Sequence, residues 1–175
     1  MNRIHSIELL NKAVGYELQS IHQYLYFHFH FEDKGYKMLS KMFERISIVE
    51  MKHLEMLADR ILFLGGDVEL RPTKGVEKIN EPQMMVEMAK NMEYESAQNY
   101  NEWAKMISEE YDVVTKQLFE ELAKQEEDHY NDFDTYYIDT NKGDLDLFNM
   151  IFPKDNIVAV TTQRILKEFS PEECK

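Results

Sequence analysis

The chain carries two Glu-x-x-His pairs on helix faces that its periodicity predicts to be buried. Over residues 39–64, apolar side chains recur every three or four positions, and Glu50 and His53 fall on the same stripe. A later segment repeats the design with Glu126 and His129. Because ionisable side chains are rarely buried without partners, the fold must be one that supplies partners for them.

Turn and capping residues divide the chain into four long helical segments. They are predicted at about 6–33, 36–64, 82–109 and from Asp112 to before Gly143, with Ser6 and Asp112 as N-caps, Pro82 in a first turn, and Gly35 and Gly65 as stop signals. The first and last links are short, and the middle one is long. This pattern predicts an all-α four-helix bundle with one long crossover over residues 1–143, followed by a tail, 144–175, with short helices.

A hidden repeat relates the two halves of this bundle. Glu17 and Glu93 lie on the inward stripes of the first and third segments, and adding 76 carries the first half onto the second: Glu17 to Glu93, Tyr24 to Tyr100, Glu50 to Glu126 and His53 to His129. At about 1.5 Å of rise per residue, the two acids of each helical hairpin meet at one height. Four carboxylates and two imidazoles are therefore predicted to converge in mid-bundle.

Such a cluster favours cations. Burial and mutual repulsion would protonate most of the four carboxylates, whereas two divalent ions would balance their charge, and carboxylates can bridge ions roughly 3.5–4 Å apart. Mixed oxygen and nitrogen ligands suit iron or manganese, and zinc also fits the donor set. The alternative without metal is a structural bundle in which these side chains face solvent or bond one another.

Composition narrows the function classes further. A net charge of -13 disfavours nucleic-acid binding, which rests on neutralising phosphates. The single cysteine, Cys174, excludes an intrachain disulfide and a zinc or iron–sulfur site built from cysteines. No apolar run approaches the ~20 residues of a membrane span, and the start does not resemble a secretory signal. We expect a cytoplasmic protein that binds neither nucleic acid nor membrane.

Four sequence stretches carry a resemblance to a known family. These are GYELQSIHQYLYFH, IVEMKHLEMLADRILFLGG, EYESAQNY and EEDHYNDF, within roughly residues 5–140. They resemble the ferritin-like superfamily, whose di-iron ligand set is one Glu from each of two helices and Glu-x-x-His from each of the others, and within it the bacterioferritins. The resemblance implies a ferroxidase that stores iron: a cage of about 24 subunits built from dimers, which oxidises Fe²⁺ to Fe³⁺ with O₂ or H₂O₂ and deposits the mineral inside.

The resemblance also implies a role for each site residue. Glu17 and Glu93 would be terminal ligands, Glu50 and Glu126 bridging ligands, and His53 and His129 would give one nitrogen to each iron. Tyr24 would be a hydrogen-bond or redox partner, with a packed bundle tyrosine as the alternative. An electron-donor protein for iron release is a further implied partner.

Met51 lies between Glu50 and His53 but points about 130° away from their mean direction, so it cannot join that site. It falls on an outward apolar patch, which suggests a partner surface. In the family the resemblance points to, a Met at this position binds haem b across a subunit two-fold axis. Met51 is thus the candidate haem ligand, and gap-filling at an interface is the alternative.

Several positions depart from the family pattern. Arg45 and Val49 stand where an inner-surface iron site is expected, and Leu57 and Asp132 stand where aromatic residues are expected. The other function classes are a non-storing di-iron oxidase or peroxidase of the rubrerythrin kind, which the missing Cys-x-x-Cys disfavours, and a DNA-protecting mini-cage. The latter places its iron site between subunits, unlike the six ligands within one bundle predicted here.

Overall fold

Four α-helices account for the regular structure of residues 3–109 and 111–141, which the computed structural model describes. They are α1 (Arg3–Asp33), α2 (Lys37–Leu64), α3 (Pro82–Glu109) and α4 (Val113–Asn141). The predicted all-α bundle with one long crossover is confirmed. The chain has two compact units, Met1–Thr135 and Tyr136–Lys175, and the first is the subject below. The predicted tail, 144–175, lies outside the described residues, and its boundary stays a prediction.

Glycines end the first two helices as the sequence predicts. Gly35 and Gly65 have φ angles of 82° and 83°, in the left-handed region that a residue with a Cβ rarely adopts. At the end of α2, the Gly65 N–H donates to Leu62 O and the Gly66 N–H to Ile61 O, both at 3.0 Å. These bonds satisfy carbonyls that the helix leaves without intrahelical partners.

The start of α1 differs from the prediction. The helix begins at Arg3, so Ser6 is not its N-cap but a buried residue within its first two turns. Its hydroxyl donates instead to Asp112 Oδ2 at 2.9 Å, across 106 residues of sequence. Ser6 therefore joins the starts of α1 and α4 at one end of the bundle.

Asp112 does cap α4, as predicted. Its Oδ1 accepts the Thr115 N–H at 3.2 Å, the N-cap bond to the third helical residue. Its carboxylate also accepts the Thr115 hydroxyl at 2.7 Å and the Arg60 guanidinium at 2.6 Å. Although burial raises the pKa of Asp112, the bonds from Thr115 and Ser6 and the charge of Arg60 hold it below its ordinary value. One carboxylate thus connects three helices.

The crossover between α2 and α3 is fastened along α1. Its bonds are Asn11 Nδ2–H to Asp67 O (3.0 Å), Glu69 N–H to Asn11 Oδ1 (2.9 Å), Thr73 N–H to Gly15 O (2.9 Å), Gln23 Nε2–H to Glu77 O (3.0 Å) and Glu77 N–H to Gln23 Oε1 (2.8 Å). A Cβ on Gly15 would lie only 2.9 Å from Thr73 Oγ1, so this close approach requires glycine. The crossover returns the chain to the far end of α1, so that α2 and α3 run parallel.

Aromatic and aliphatic side chains fill the core above and below the polar cluster described next. The fully buried aromatics are Tyr24, Phe27, Phe31, Phe43, Tyr100, Phe119 and Phe133. On α4 the prediction placed Leu118 on the inward stripe, but Phe119 is the buried residue there and Leu118 is only partly buried. No described helix is long and apolar enough to cross a membrane.

We expect Asp112→Ala to destabilise the bundle by about 3 kcal/mol, because it removes an N-cap and leaves the Arg60 guanidinium without its buried partner. The thermal unfolding midpoint should fall by roughly 6–12 °C. The matched control is Asp59→Ala, at an exposed acid on α2 next to Arg60. Equal midpoints for the two variants would show that the Asp112 network does not stabilise the fold.

Candidate metal centre

Six ionisable side chains meet in the middle of the bundle. Each helix contributes to the cluster: Glu17 from α1, Glu50 and His53 from α2, Glu93 from α3, and Glu126 and His129 from α4. The four carboxylates and His53 are buried, and His129 is nearly so. Sequence periodicity predicted this convergence, and the structure brings all six residues together.

The first half of the cluster surrounds His53. Its Nδ1 lies 2.8 Å from Glu50 Oε2, 3.1 Å from Glu126 Oε1 and 3.8 Å from Glu17 Oε1. One ligand atom from each of these four residues lies within 4.8 Å of every other. That spacing is compact enough for the four atoms to surround one metal ion.

The second half surrounds His129 in the same way. Its Nδ1 lies 3.0 Å from Glu50 Oε1, 3.6 Å from Glu93 Oε2 and 3.6 Å from Glu126 Oε2. Glu50 and Glu126 therefore belong to both halves, and each presents one oxygen to either histidine. Two carboxylates shared between two sets of donors form the arrangement that holds a pair of metal ions.

Unsatisfied polar atoms show that the cluster fits metal ions. Seven buried side-chain nitrogen or oxygen atoms among the described residues have no hydrogen-bond partner, and five of them are Glu50 Oε1 and Oε2, His53 Nδ1, Glu126 Oε1 and His129 Nδ1. They are close to one another but misaligned for hydrogen bonds. Buried polar atoms without partners are costly, and lone pairs directed at a shared space are what cations require.

Protons distribute unequally over the carboxylates. Burial, followed by repulsion from Glu50, raises the pKa of Glu17 well above its ordinary value. Burial and repulsion from Glu126 do the same for Glu93. Burial also opposes ionisation of Glu50, but the charges of both histidines outweigh it and lower the Glu50 pKa. Hydrogen bonds from Glu93 and both histidines likewise lower the pKa of Glu126 against burial and the charge of Glu50.

The histidines complete the charge balance. Burial opposes their protonation, yet the pKa values of His53 and His129 rise well above the ordinary value, with the Glu50 carboxylate as the leading favourable cause for both. Without metal, two ionised carboxylates then face two imidazolium ions, while Glu17 and Glu93 carry protons. Two divalent ions would replace those four protons and leave the cluster equally neutral.

Two tyrosines donate hydrogen bonds to the outer carboxylates. The Tyr24 hydroxyl donates to Glu93 Oε1, and the Tyr100 hydroxyl donates to Glu17 Oε1. The 76-residue offset relates the two bonds. Burial, and then the nearby carboxylate charges, raise the pKa of both phenols well above the ordinary value, so both stay protonated and act as donors. Tyr100 was not among the predicted site residues, although its offset from Tyr24 was the signal for it.

Gln125 is a second residue that sequence reasoning missed. The His53 Nε2–H donates to Gln125 Oε1 at 3.0 Å, which orients the ring and turns Nδ1 toward the carboxylates. The offset carries Gln125 back to Val49, an apolar residue, so the repeat gave no signal for this bond.

The predicted positions outside the cluster lie as follows. Met51 is 47% exposed and faces outward beside Ile48, at 44%, away from the six ionisable side chains. Arg45, at the position where an inner-surface iron site was expected, pairs with Asp132 at 3.2 Å. Both side chains are partly exposed at the groove between α2 and α4.

The bundle and its cluster define a class of protein: a four-helix fold with a buried carboxylate–histidine site suited to two metal ions. A ferritin-like domain matches residues 7–142. The bacterioferritin of Desulfovibrio desulfuricans is 34% identical over 131 residues, 75% of this chain and 71% of that protein. The bacterioferritin of Brucella melitensis is 33% identical over 129 residues, covering 74% and 80% of the two chains.

Solved structures give the same result. The X-ray structure of D. desulfuricans bacterioferritin, which shows its diiron site in different catalytic states, matches with a TM-score of 0.81 and 31% identity over 84% of this chain and 86% of that one. Rhodobacter capsulatus bacterioferritin, with a metal-free dinuclear site and haem iron in a crystallographic special position, matches at 0.78 and 30% over 86% and 95%. The chain belongs to the ferritin-like family, among the bacterioferritins.

Metal binding should release protons and weaken as the pH falls, because the raised pKa values of Glu17, Glu93 and the histidines place protons where the ions would bind. Calorimetry of Mn²⁺ or Zn²⁺ binding to the metal-free protein, in buffers of different ionisation enthalpy, measures the protons released. The control is the double variant Glu50→Ala/Glu126→Ala. Binding that releases no protons and does not depend on pH would contradict the expectation.

Proposed function

We propose that this protein oxidises ferrous iron at the six-residue centre and stores the ferric product inside a protein cage. The observation that carries the proposal is the pair of donor sets sharing Glu50 and Glu126, with unsatisfied lone pairs directed inward. The likeness to bacterioferritins, including one whose structure is described by its diiron site, identifies iron as the metal.

In this proposal, Glu17 with His53 and Glu93 with His129 bind one iron each, and Glu50 and Glu126 bridge the pair. The geometry that supports these roles is the contact of each bridging carboxylate with both histidines. Tyr24 and Tyr100 hold the terminal carboxylates in place from outside the pair. Two ferrous ions give one electron each, which reduces O₂ with two protons to H₂O₂, or H₂O₂ with two protons to water.

Storage requires assembly of many copies. We propose a cage of about 24 subunits built from dimers, as the family's bundle implies, located in the cytoplasm and supplied with electrons for iron release by a donor protein. The outward faces of α1 and α2 support a dimer, because Phe29, Ile48 and Met51 are exposed apolar side chains on them. The non-storing oxidase is not favoured, since the curated relatives are bacterioferritins.

Haem b is proposed at the dimer axis, with the Met51 thioether of each of two copies as ligand. The structure fits this role insofar as the Met51 side chain is half-exposed and has apolar Ile48 beside it. The exposed Glu44 one turn before Ile48 is unfavourable for an anionic cofactor. The haem of R. capsulatus bacterioferritin, which lies in a special position of its crystal, is the precedent.

Glu50→Ala/Glu126→Ala should abolish rapid ferrous oxidation while leaving the assembly intact, because both bridging carboxylates are lost but no outer surface changes. Stopped-flow absorbance follows the oxidation, and light scattering measures the mass, expected near half a megadalton from 20.9 kDa subunits in a cage of about 24. Glu55→Ala, at an exposed acid of α2, is the control. Oxidation at the native rate in the double variant would disprove the centre, and a stable monomer would disprove the cage.

Met51→Leu should remove the Soret band from protein purified with haem, since leucine keeps the apolar surface but lacks a sulfur ligand. Met84→Leu, at another exposed methionine, should leave the band unchanged. A Soret band of equal intensity in Met51→Leu would assign the haem to other residues.

A further inference from the structure

The two tyrosines that bond the outer carboxylates have different surroundings. Tyr24 is fully buried, and its ring contacts among the described residues are with Phe43, at 5.7 Å between centroids, and Phe133, at 5.8 Å. Phenylalanine rings do not readily give up an electron. On this side, any oxidation of the tyrosine would end where it began.

Tyr100 lies instead at the start of a continuous row of oxidisable rings. Its centroid is 5.5 Å from that of Trp103, which is 5.8 Å from that of Tyr16. Trp103 is 7% exposed, and Tyr16, on α1, is partly exposed. At its inner end the row reaches the metal centre through the bond from Tyr100 to Glu17. Phenol and indole both undergo one-electron oxidation, so the row links centre and surface without an inert ring between them.

We propose that Tyr100, Trp103 and Tyr16 conduct single electrons from the protein surface to the metal centre, and that this role belongs to Tyr100 rather than Tyr24. The inference rests on the proposed ferroxidase function. It adds a route by which ferrous ions outside the centre give electrons to the oxidised centre while oxidant is being reduced. The three residues are electron-transfer residues, and none is a metal ligand.

The step balances. Tyr100 gives one electron to the oxidised centre while its phenol proton moves along the existing bond to Glu17. Trp103 then gives an electron to Tyr100, which recovers its proton, and Tyr16 gives an electron to Trp103. A ferrous ion at the surface reduces Tyr16 and becomes ferric. The net result is one electron moved from an external ferrous ion into the centre, with no protein bond formed or broken and no net proton transferred.

Rapid freeze-quench electron paramagnetic resonance tests the route. The full-length assembly is loaded with ferrous iron, mixed with oxygenated buffer, and frozen with and without excess ferrous ion. We expect a transient aromatic radical that Tyr100→Phe abolishes. In Trp103→Phe and Tyr16→Phe the radical should persist on Tyr100, because excess ferrous ion can no longer quench it quickly. Tyr24→Phe should retain the radical.

The exposed Tyr94→Phe is the matched control for loss of a tyrosine and should show the wild-type signal. A radical of unchanged amplitude and decay in both Tyr100→Phe and Trp103→Phe overturns the route, as does the absence of any radical from wild-type protein that oxidises iron normally. Tyr16→Phe, at a partly exposed position, keeps the test valid if a core variant does not fold. Wild-type protein that oxidises no ferrous iron would instead refute the proposed function.

Discussion

The repulsion among four buried carboxylates is the constraint on which the rest of this structure depends. Glu17, Glu50, Glu93 and Glu126 lie close together away from water, where like charges are poorly screened. Only cations can make such a cluster stable, either as protons and imidazolium ions or as metal ions. The surrounding bundle keeps the cluster rigid, so that the negative charges cannot separate when the cations exchange.

That rigidity comes from fastening the helices at several heights. Phenol hydroxyls from Tyr24 and Tyr100 fix the outer carboxylates at the level of the cluster. The Asp112 network joins α1, α2 and α4 at one end, and the crossover bonds to α1 along its length. Because folding orders all of these contacts at once, the cluster is preorganised, and metal binding need not supply the energy to assemble it.

Sequence patterns predicted the bundle and the meeting of the six side chains because both follow from local rules. Periodicity places a residue on a face, rise per residue gives its height, and the 76-residue repeat matches the halves. What escaped prediction depends on contacts between distant segments. Ser6 reads as a cap because serine is common there, yet it bonds Asp112, 106 residues away. Gln125 was missed because its partner, the far nitrogen of His53, has no equivalent in the repeat.

The departures from the repeat make the two halves of the centre unequal. His53 is 1% exposed and is held by Gln125 at its outer nitrogen, whereas the His129 side chain is 12% exposed. Beside the groove between α2 and α4, Arg45 and Asp132 neutralise each other, so neither offers a free charge to a passing cation. Tyr100 continues into Trp103, while Tyr24 ends among phenylalanines. A duplicated ligand set therefore gives two subsites of similar coordination but different exposure to water and different access to electrons, because the residues around the ligands did not keep the repeat.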